Sequence, residues 1–265
     1  MKPAREVRLS PEEAALVRSL VIHQDEHVLA LNKPPGLSSQ GGRGQVNTLD
    51  ELLHAFAKPS GRRPVLVHRL DRDTSGVILA ARSQPAASFL GKAMIARRFE
   101  KTYLALAAAA PEPPQGEIDA PLRRVEQGRE AYMQTCLPEV PGALAALTRY
   151  RTLASGPAGA LVEARPETGR MHQIRVHLAH VGRPIAGDVR YGGPLTLAGR
   201  PVPRLMLHAF ALTFPHPAGG RRTLTAPLPP DFSTLAAALG LAQSLDQLRH
   251  AAGEAGPPTA RAPMV

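Results

Sequence analysis

The stretch His68-Arg69-Leu70-Asp71-Arg72-Asp73-Thr74-Ser75-Gly76 crowds ionisable side chains between two apolar runs, Val65-Leu66-Val67 and Val77-Ile78-Leu79-Ala80-Ala81. Short β-rich runs broken by Asp, Thr, Ser and Gly read as strand, turn, strand. Asp71 then stands at a strand end with apolar walls on both sides. One reading is a polar turn whose Asp and Ser satisfy backbone donors. The other is a carboxylate held in place to do chemistry. A carboxylate desolvated by apolar strands needs a fixed cation to stay ionised. Arg175 is the candidate, because it falls inside a core-facing helix where an unpaired guanidinium is strongly unfavourable. An ionised, partly desolvated aspartate held by an arginine is competent as a nucleophile or a base.

Other chemistries find less support. Gly41-Gly42-Arg43-Gly44 lacks the Lys-Ser/Thr pair of a phosphate-binding loop and the strand-to-helix setting of a dinucleotide site, so it reads as a loop. Of His172, His177 and His180, only the last two share a helical face and no carboxylate accompanies them, so no metal site is read there. No serine sits in a nucleophile elbow. The single cysteine, Cys136, can form neither an internal disulfide nor a zinc-thiolate site.

Composition narrows the partner. At 265 residues with 43% hydrophobic content, the chain suits one large domain or two coupled subdomains. A formal net charge of +10 predicts attraction to polyanions, with nucleic acid the leading class. Aromatics at 4% and the absence of Trp argue against a stacking platform for single strands. No apolar run reaches the ~18 residues of a membrane span, and the N-terminus lacks a signal-peptide pattern. The expectation is a cytoplasmic protein with no membrane partner.

The elements that must position Asp71 follow from periodicity and punctuation. Residues 1–20 form a charged lead-in with Ser10-Pro11-Glu12-Glu13 as N-cap and first turn. Residues 21–33 read as two strands about an acidic turn, stopped by Pro34-Pro35-Gly36. Thr48-Leu49-Asp50-Glu51 is a capping box opening an amphipathic helix over 49–57. Ser83 opens another, to about Arg98, and Lys101 to Ala109 is strand-like. The segment 111–143, rich in Pro and Gly and carrying Arg123, Arg124 and Arg129, reads as an elaborated hairpin or arm between two halves. Strands follow over 145–153 and 160–165. Ile174, His177, Leu178 and Val181 then have helical spacing, closed by Gly182 and Pro184. A strand pair over 205–214 and 222–225 and a capped helix over 231–239 complete a domain spanning 21–240. A last helix and a tail expected to be disordered from Gly253 occupy 241–265.

With these residues laid out, the chain resembles the RluA-type RNA pseudouridine synthases. His68-Arg69-Leu70-Asp71 with Thr74-Ser75-Gly76 looks like that family's catalytic signature. Five further blocks recur in its order. They are Lys33-Pro34-Pro35-Gly36-Leu37; Lys101-Thr102-Tyr103-Leu104-Ala105; Thr168-Gly169-Arg170 through His172-Gln173-Ile174-Arg175-Val176-His177; Gly182-Arg183-Pro184-Ile185-Ala186-Gly187-Asp188 with Tyr191-Gly192; and Leu207-His208-Ala209 with Phe214-Pro215-His216-Pro217. The likeness covers about residues 25–232.

The resemblance implies an isomerase that cleaves the N1–C1′ bond of a uridine in RNA, rotates the uracil and rejoins it through C5. It implies a mixed α/β (α+β) fold, a mainly antiparallel sheet in two subdomains with flanking helices and a cleft between them. Asp71 becomes the catalytic aspartate, attacking C1′ or removing the 2′ proton. Tyr103 stacks on the uracil and serves as the base at C5, or is a strand aromatic filling the core. Arg175 pairs with Asp71, or binds phosphate. Arg69 moves into the space left by the flipped nucleotide. His68 and Thr74 belong to the substrate pocket, which Arg170, His172 and Gln173 line or whose helix they cap. Asp73 and Asp188 read as structural. No metal or organic cofactor is implied. Met171 stands where the family commonly has a small hydroxyl residue, and Pro166 replaces a common Leu. Residues 1–20 are too few for the S4 RNA-binding module of many relatives. RNA recognition, of 23S ribosomal RNA or a tRNA stem-loop by a monomer, is therefore expected from the basic cleft and the arm with Arg123, Arg124 and Arg129. The rival expectations are an inactive RNA-binding or ribosome-assembly protein and a DNA-binding regulator; the latter lacks a helix-turn-helix or zinc motif.

Overall fold

The computed structural model describes residues 8–41, 47–128 and 130–251. Helix α1 (Pro11–Ser19) starts at a reciprocal capping box, in which Ser10 Oγ accepts the Glu13 N–H at 3.2 Å and Glu13 Oε2 accepts the Ser10 N–H at 2.8 Å. Strands β1 (Val21–Gln24) and β2 (Val28–Lys33) form a hairpin whose turn is held by Asp25, its Oδ1 accepting the N–H groups of His27 and Val28. Thr48 caps α2 (Leu49–Leu52), but the expected helix over 49–57 is not continuous. It tightens into a 3-10 turn at Leu53–Phe56 and is extended by Ala57, since the chain must leave helical geometry ahead of Pro59.

Next come β3 (Val65–Leu66), β4 (Ser75–Ala81), α3 (Gln84–Ile95), β5 (Glu100–Ala107), β6 (Gln115–Asp119), β7 (Leu122–Gln127) and β8 (Glu130–Thr135). The second half adds β9 (Leu147–Gly156), β10 (Gly159–Pro166), α4 (Gln173–His180), the short pair β11 (Thr196–Leu197) and β12 (Arg200–Pro201), β13 (Leu207–Pro215), β14 (Arg221–Thr225), α5 (Pro230–Ala238) and α6 (Ala242–Ala251). Asp231 lies inside α5 rather than capping it: the N-cap is Pro229, without a side-chain cap bond, and the Asp231 carboxylate instead grips Arg204 at 2.6 and 2.7 Å.

One ten-stranded sheet carries the molecule, in the order β1-β2-β4-β13-β5-β10-β9-β6, with β14 paired to β13 and β3 to β4. Every pairing in it is antiparallel except β4 with β13, which are parallel over only two residue pairs, Ser75 with His208 and Gly76 with Ala209. That step divides the sheet into two halves with separate cores. One is built on Leu29, Leu31, Ile78, Leu79, Leu90 and Phe214, the other on Leu104, Leu106, Leu161, Leu178 and Phe232. Tyr103 packs against both.

The 111–143 segment is only partly an arm. β6 hydrogen-bonds to β9 and so forms the last strand of the main sheet, while β7 and β8 make a separate hairpin. The hairpin seats on α4 through a small core of Leu122, Met133, Ala146 and Val176, with Tyr191 packed against it. Among the described residues no helix is long and apolar enough to cross a membrane. Gly42 to Gly44, Arg129 and the tail from Gly253 lie outside the described residues.

Candidate active site

Asp71 lies in the loop between β3 and β4, not at the strand end expected from the sequence, and opens a turn closed by Thr74 N–H donating to the Asp71 carbonyl at 3.2 Å. Two buried side chains hold this segment from below. Ser39, 3% exposed, donates its hydroxyl to the Leu70 carbonyl at 2.7 Å and accepts the Leu70 N–H at 3.0 Å. Lys33, at 0% exposure the largest fully buried side chain, donates to the carbonyls of Pro34, Leu37 and Arg72 at 2.8–2.9 Å. All three ammonium hydrogens are thereby used, although burial pulls the Lys33 pKa down to about 7.

The turn opens onto a cleft of about 430 Å³ between the two halves of the sheet. His68, Arg69, Asp71, Thr74, Lys101, Tyr103, Arg170, His172, Gln173 and Arg175 all line it, so β3–β4, β5 and α4 converge on one space. The β5 register opposite Ala209 of β13 and Ala164 of β10 delivers Tyr103 to the cleft. Burial, reinforced by the Asp71 charge, raises the phenol's pKa well above 10, so the resting group is a neutral phenol.

The arginine partnership differs from expectation. Arg175, 6% exposed, forms a bidentate pair with Asp188, Nε to Oδ2 and Nη2 to Oδ1 both at 2.8 Å, and reaches Asp71 only with Nη1, 3.9 Å from Oδ2. A fork–fork bond at 2.8 Å outranks an approach at 3.9 Å, which is too long for a hydrogen bond. The side chain that fixes Arg175 is therefore Asp188. The Asp188 carboxylate also accepts the N–H groups of Arg190 and Tyr191 at 3.2 Å.

His172 enters the cleft from a left-handed backbone (φ 54°) just ahead of α4, a conformation that residues with a Cβ rarely hold. Its Nε2 lies 4.0 Å from Asp71 Oδ2, the same oxygen that Arg175 approaches. Asp71 itself lines the cleft. Desolvation lowers the His172 pKa, with Arg175 and Arg190 adding to the effect and Asp71 opposing it.

The remaining expected residues divide by what they touch. Arg69 is exposed and makes no hydrogen bond or ion pair to the described protein, so its guanidinium is free to meet a ligand. Arg170 lines the cleft while its Nε donates to the Ala145 carbonyl at 3.0 Å. His68 Nε2 accepts the Leu79 N–H at 3.1 Å, and its Nδ1, like Thr74 Oγ1, is buried without a partner. Burial, helped by the Lys101 charge, pulls the His68 pKa down to about 3. Gln173 is fully committed: its amide nitrogen donates to Leu147 O and Thr148 Oγ1, and its oxygen accepts from Arg170 N and Thr168 Oγ1. With all four bonds taken, it shapes the entry to α4 and has nothing left for a ligand. His177 is likewise occupied, by Thr148 and the Ala120 carbonyl. Pro166 lines the cleft; Met171 is 42% exposed and does not. In the hairpin, Arg124 is exposed and pairs only loosely with Glu126 at 3.3 Å.

Lys33, Ser39 and Tyr191 were given no role from the sequence, and Asp188 only a structural one with no partner named. Asp188 and Tyr191 stand in the Gly187-Asp188 and Tyr191-Gly192 pairs, and an acid in a glycine-flanked turn just beyond an arginine-bearing helix is the signal that could have found the pair with Arg175. Ser39, in a loop of ordinary composition, carried none.

A family model described as RNA pseudouridylate synthase matches residues 27–180. Ribosomal large subunit pseudouridine synthase C of Escherichia coli (strain K12) is 36% identical over 247 residues, 91% of this chain and 73% of that protein. The mitochondrial RNA pseudouridine synthase 4 of Arabidopsis thaliana is 40% identical over 203 residues, 69% of this chain and 43% of that protein. Among solved structures, human RNA Pseudouridylate Synthase Domain Containing 4 superposes with a TM-score of 0.74 at 28% identity, covering 86% of this chain and 97% of that one. A family match over residues 27–180, which carry every cleft-lining residue named above, and a relative 36% identical across 91% of the chain lead to one conclusion: this chain belongs to the RNA pseudouridylate synthases, isomerases that convert uridine to pseudouridine in RNA.

Proposed function

We propose that Asp71 is the aspartate that opens the isomerisation and that the target is a uridine in structured ribosomal RNA. The observation that carries the first part is the pair of cationic or donor groups, Arg175 Nη1 and His172 Nε2, that approach one oxygen of Asp71 where that residue lines the cleft. A carboxylate so placed can attack C1′ or take the 2′ proton; either route leaves uracil free to rotate and rejoin through C5, and the C5 proton replaces the bond lost at N1. The net change lies within one nucleotide, since the transient Asp71–C1′ ester is broken, or the proton that Asp71 takes from C2′ is given back, when C1′ rejoins at C5.

Tyr103 forms the wall opposite Asp71 and offers a ring on which uracil stacks. As a neutral phenol it can act as base at C5 only after passing on its own proton, so stacking is its first role. Arg69, unpaired at the cleft rim, fits the residue that fills the gap when the base is extruded. Arg123, Arg124 and Arg129 supply cationic contacts for the RNA beyond the cleft. The ribosomal choice rests on likeness to bacterial relatives named for the large ribosomal subunit. The same proposal takes the protein to work in the cytoplasm, as a monomer.

The test is Asp71→Asn. Expected is wild-type RNA affinity with pseudouridine formation abolished, and turnover at the wild-type rate would remove Asp71 from the mechanism. Mapping pseudouridine in total RNA from cells with and without the gene identifies the site. A change confined to tRNA would overturn the ribosomal reading, and no change at all would favour an RNA-binding protein without activity.

A further inference from the structure

Tyr191 stands where three structures meet. Its hydroxyl accepts the backbone N–H of Met133 in β8 at 3.1 Å and lies 2.7 Å from His172 Nδ1. Its ring lies under the Arg175 guanidinium, 5.0 Å from Cζ to centroid, and edge-on to His172. Its own N–H is bound by Asp188 Oδ1, the same oxygen that holds Arg175 Nη2.

A phenol hydroxyl has one hydrogen to give. Met133 N–H is donated to the phenol oxygen, and His172 Nδ1 is the one acceptor within hydrogen-bond reach of the phenol hydrogen among the described residues, so the short contact is made by that hydrogen donated to Nδ1. A neutral imidazole accepts at one nitrogen and carries its proton on the other, and the hydrogen bond at the first decides which. Donation to Nδ1 leaves the proton on Nε2, the nitrogen that faces Asp71 Oδ2. The opposite tautomer would present a lone pair to a carboxylate.

Resting on the reading of Asp71 as the reactive carboxylate, we propose that Tyr191 is a positioning residue: it fixes His172 as the Nε2–H tautomer and backs Arg175, so that both donors converge on one oxygen of Asp71. Desolvation supports this by keeping the Tyr191 phenol protonated, and therefore able to donate, and the His172 ring neutral. The charged groups acting on that ring are Asp71, Arg175, Arg190 and Asp188, from the β3–β4 turn, α4 and the loop after it. The arrangement also ties the β7–β8 hairpin to the reaction centre, through the Tyr191 hydroxyl that bonds both Met133 and His172.

The test is Tyr191→Phe, which keeps the ring over Arg175 and deletes only the hydroxyl. In the wild-type enzyme, nitrogen chemical shifts of His172, assigned with His172→Gln, should show Nε2 protonated and Nδ1 bare at neutral pH, and Tyr191→Phe should yield a tautomer mixture. kcat should fall roughly tenfold, the size of one lost hydrogen bond, with KM for RNA changed less than about twofold. A protonated Nδ1 in the wild type, an unchanged tautomer in the variant, or a wild-type kcat would each overturn the proposal. Should the wild type form no pseudouridine, the functional reading fails by itself, while the nitrogen shifts still decide the role of Tyr191.

Discussion

Arg175 spends two guanidinium nitrogens on Asp188, each at 2.8 Å, and holds the third 3.9 Å from Asp71. The pair is nearly closed to water, with side-chain exposures of 8% and 0%. Removing one member leaves an uncompensated buried charge, so Asp188→Ala or Arg175→Ala should lower unfolding free energy by about 3–5 kcal/mol in urea. Replacing both by apolar residues of similar volume should restore most of that stability while pseudouridine formation stays lost, because Asp71 no longer has its cation. If Asp188→Ala unfolds like the wild type, the pair does not hold this wall of the cleft.

The two halves of the sheet join only where β4 runs parallel to β13, and Gly76 makes that approach possible. Its φ is +118°, and a Cβ there would stand 2.2 Å from the Ala209 carbonyl oxygen, a backbone atom with no freedom to yield. Gly76→Ala should therefore part β4 from β13, costing several times the ~1 kcal/mol of an ordinary glycine replacement. Circular dichroism melting would show it, and a melting temperature within about 2 °C of wild type would contradict the close packing.

These two cases mark what the sequence discloses and what it conceals. Strands β3 and β4 and helix α4 were legible because alternation, helical spacing and turn residues are local signals, whereas most of the cleft residues they carry were named only through the resemblance to a family. The capping boxes at Ser10 and Thr48 were legible for the same reason. Asp188 was not legible as Arg175's partner, since a buried ion pair satisfies two residues brought together by folding, and Asp71 was the nearer guess on chemistry alone. Gln173 shows the converse: it stands in the right block, but its amide is exhausted by Leu147, Thr148, Thr168 and Arg170, contacts that no spacing displays. The 111–143 segment was read as an elaborated hairpin or arm, and β7–β8 is such a hairpin, but Pro and Gly obscure that β6 closes the main sheet edge.

Acid should destabilise the fold through buried neutral histidines. Burial lowers His68 from 6.5 to about 3 and His208 from 6.5 to about 4. Between those values and 6.5 the unfolded chain binds protons that the native protein refuses, so stability rises with pH across this window and is lost on acidification. Burial keeps His208 neutral against the Ala226 carbonyl at Nε2, which favours the charged ring, while Ser75 bonds Nδ1. In His208→Gln the slope of unfolding free energy between pH 4 and 6.5 should shrink by up to about 1.4 kcal/mol per pH unit. An unaltered slope would mean that His208 does not contribute.

RNA binding should weaken steeply with salt, as a +10 protein displacing counterions requires. Arg123→Ala with Arg124→Ala should lower the slope of log affinity against log salt by about 2 if both meet phosphate. An unchanged slope would place the hairpin away from the RNA. The conversion step on bound RNA should be spared, since neither residue lines the cleft.

The last expectation concerns Lys33, whose ammonium crosslinks three carbonyls, one belonging to Arg72, the residue after Asp71. Lys33→Met keeps an unbranched chain of similar length and deletes every donor, leaving the carbonyls of Pro34, Leu37 and Arg72 unpaired. Each unsatisfied buried group costs about 1–3 kcal/mol, so a clear loss of stability is expected. The more telling effect is kinetic. The Ser39 clamp still grips Leu70 on one side of Asp71, but the other side is released, and a carboxylate displaced by even ~1 Å forfeits its alignment with the ribose. Single-turnover measurements at saturating RNA should therefore show a larger fall in conversion rate than in affinity. Equal losses in both, or none, would mean that Ser39 alone sets the position of Asp71.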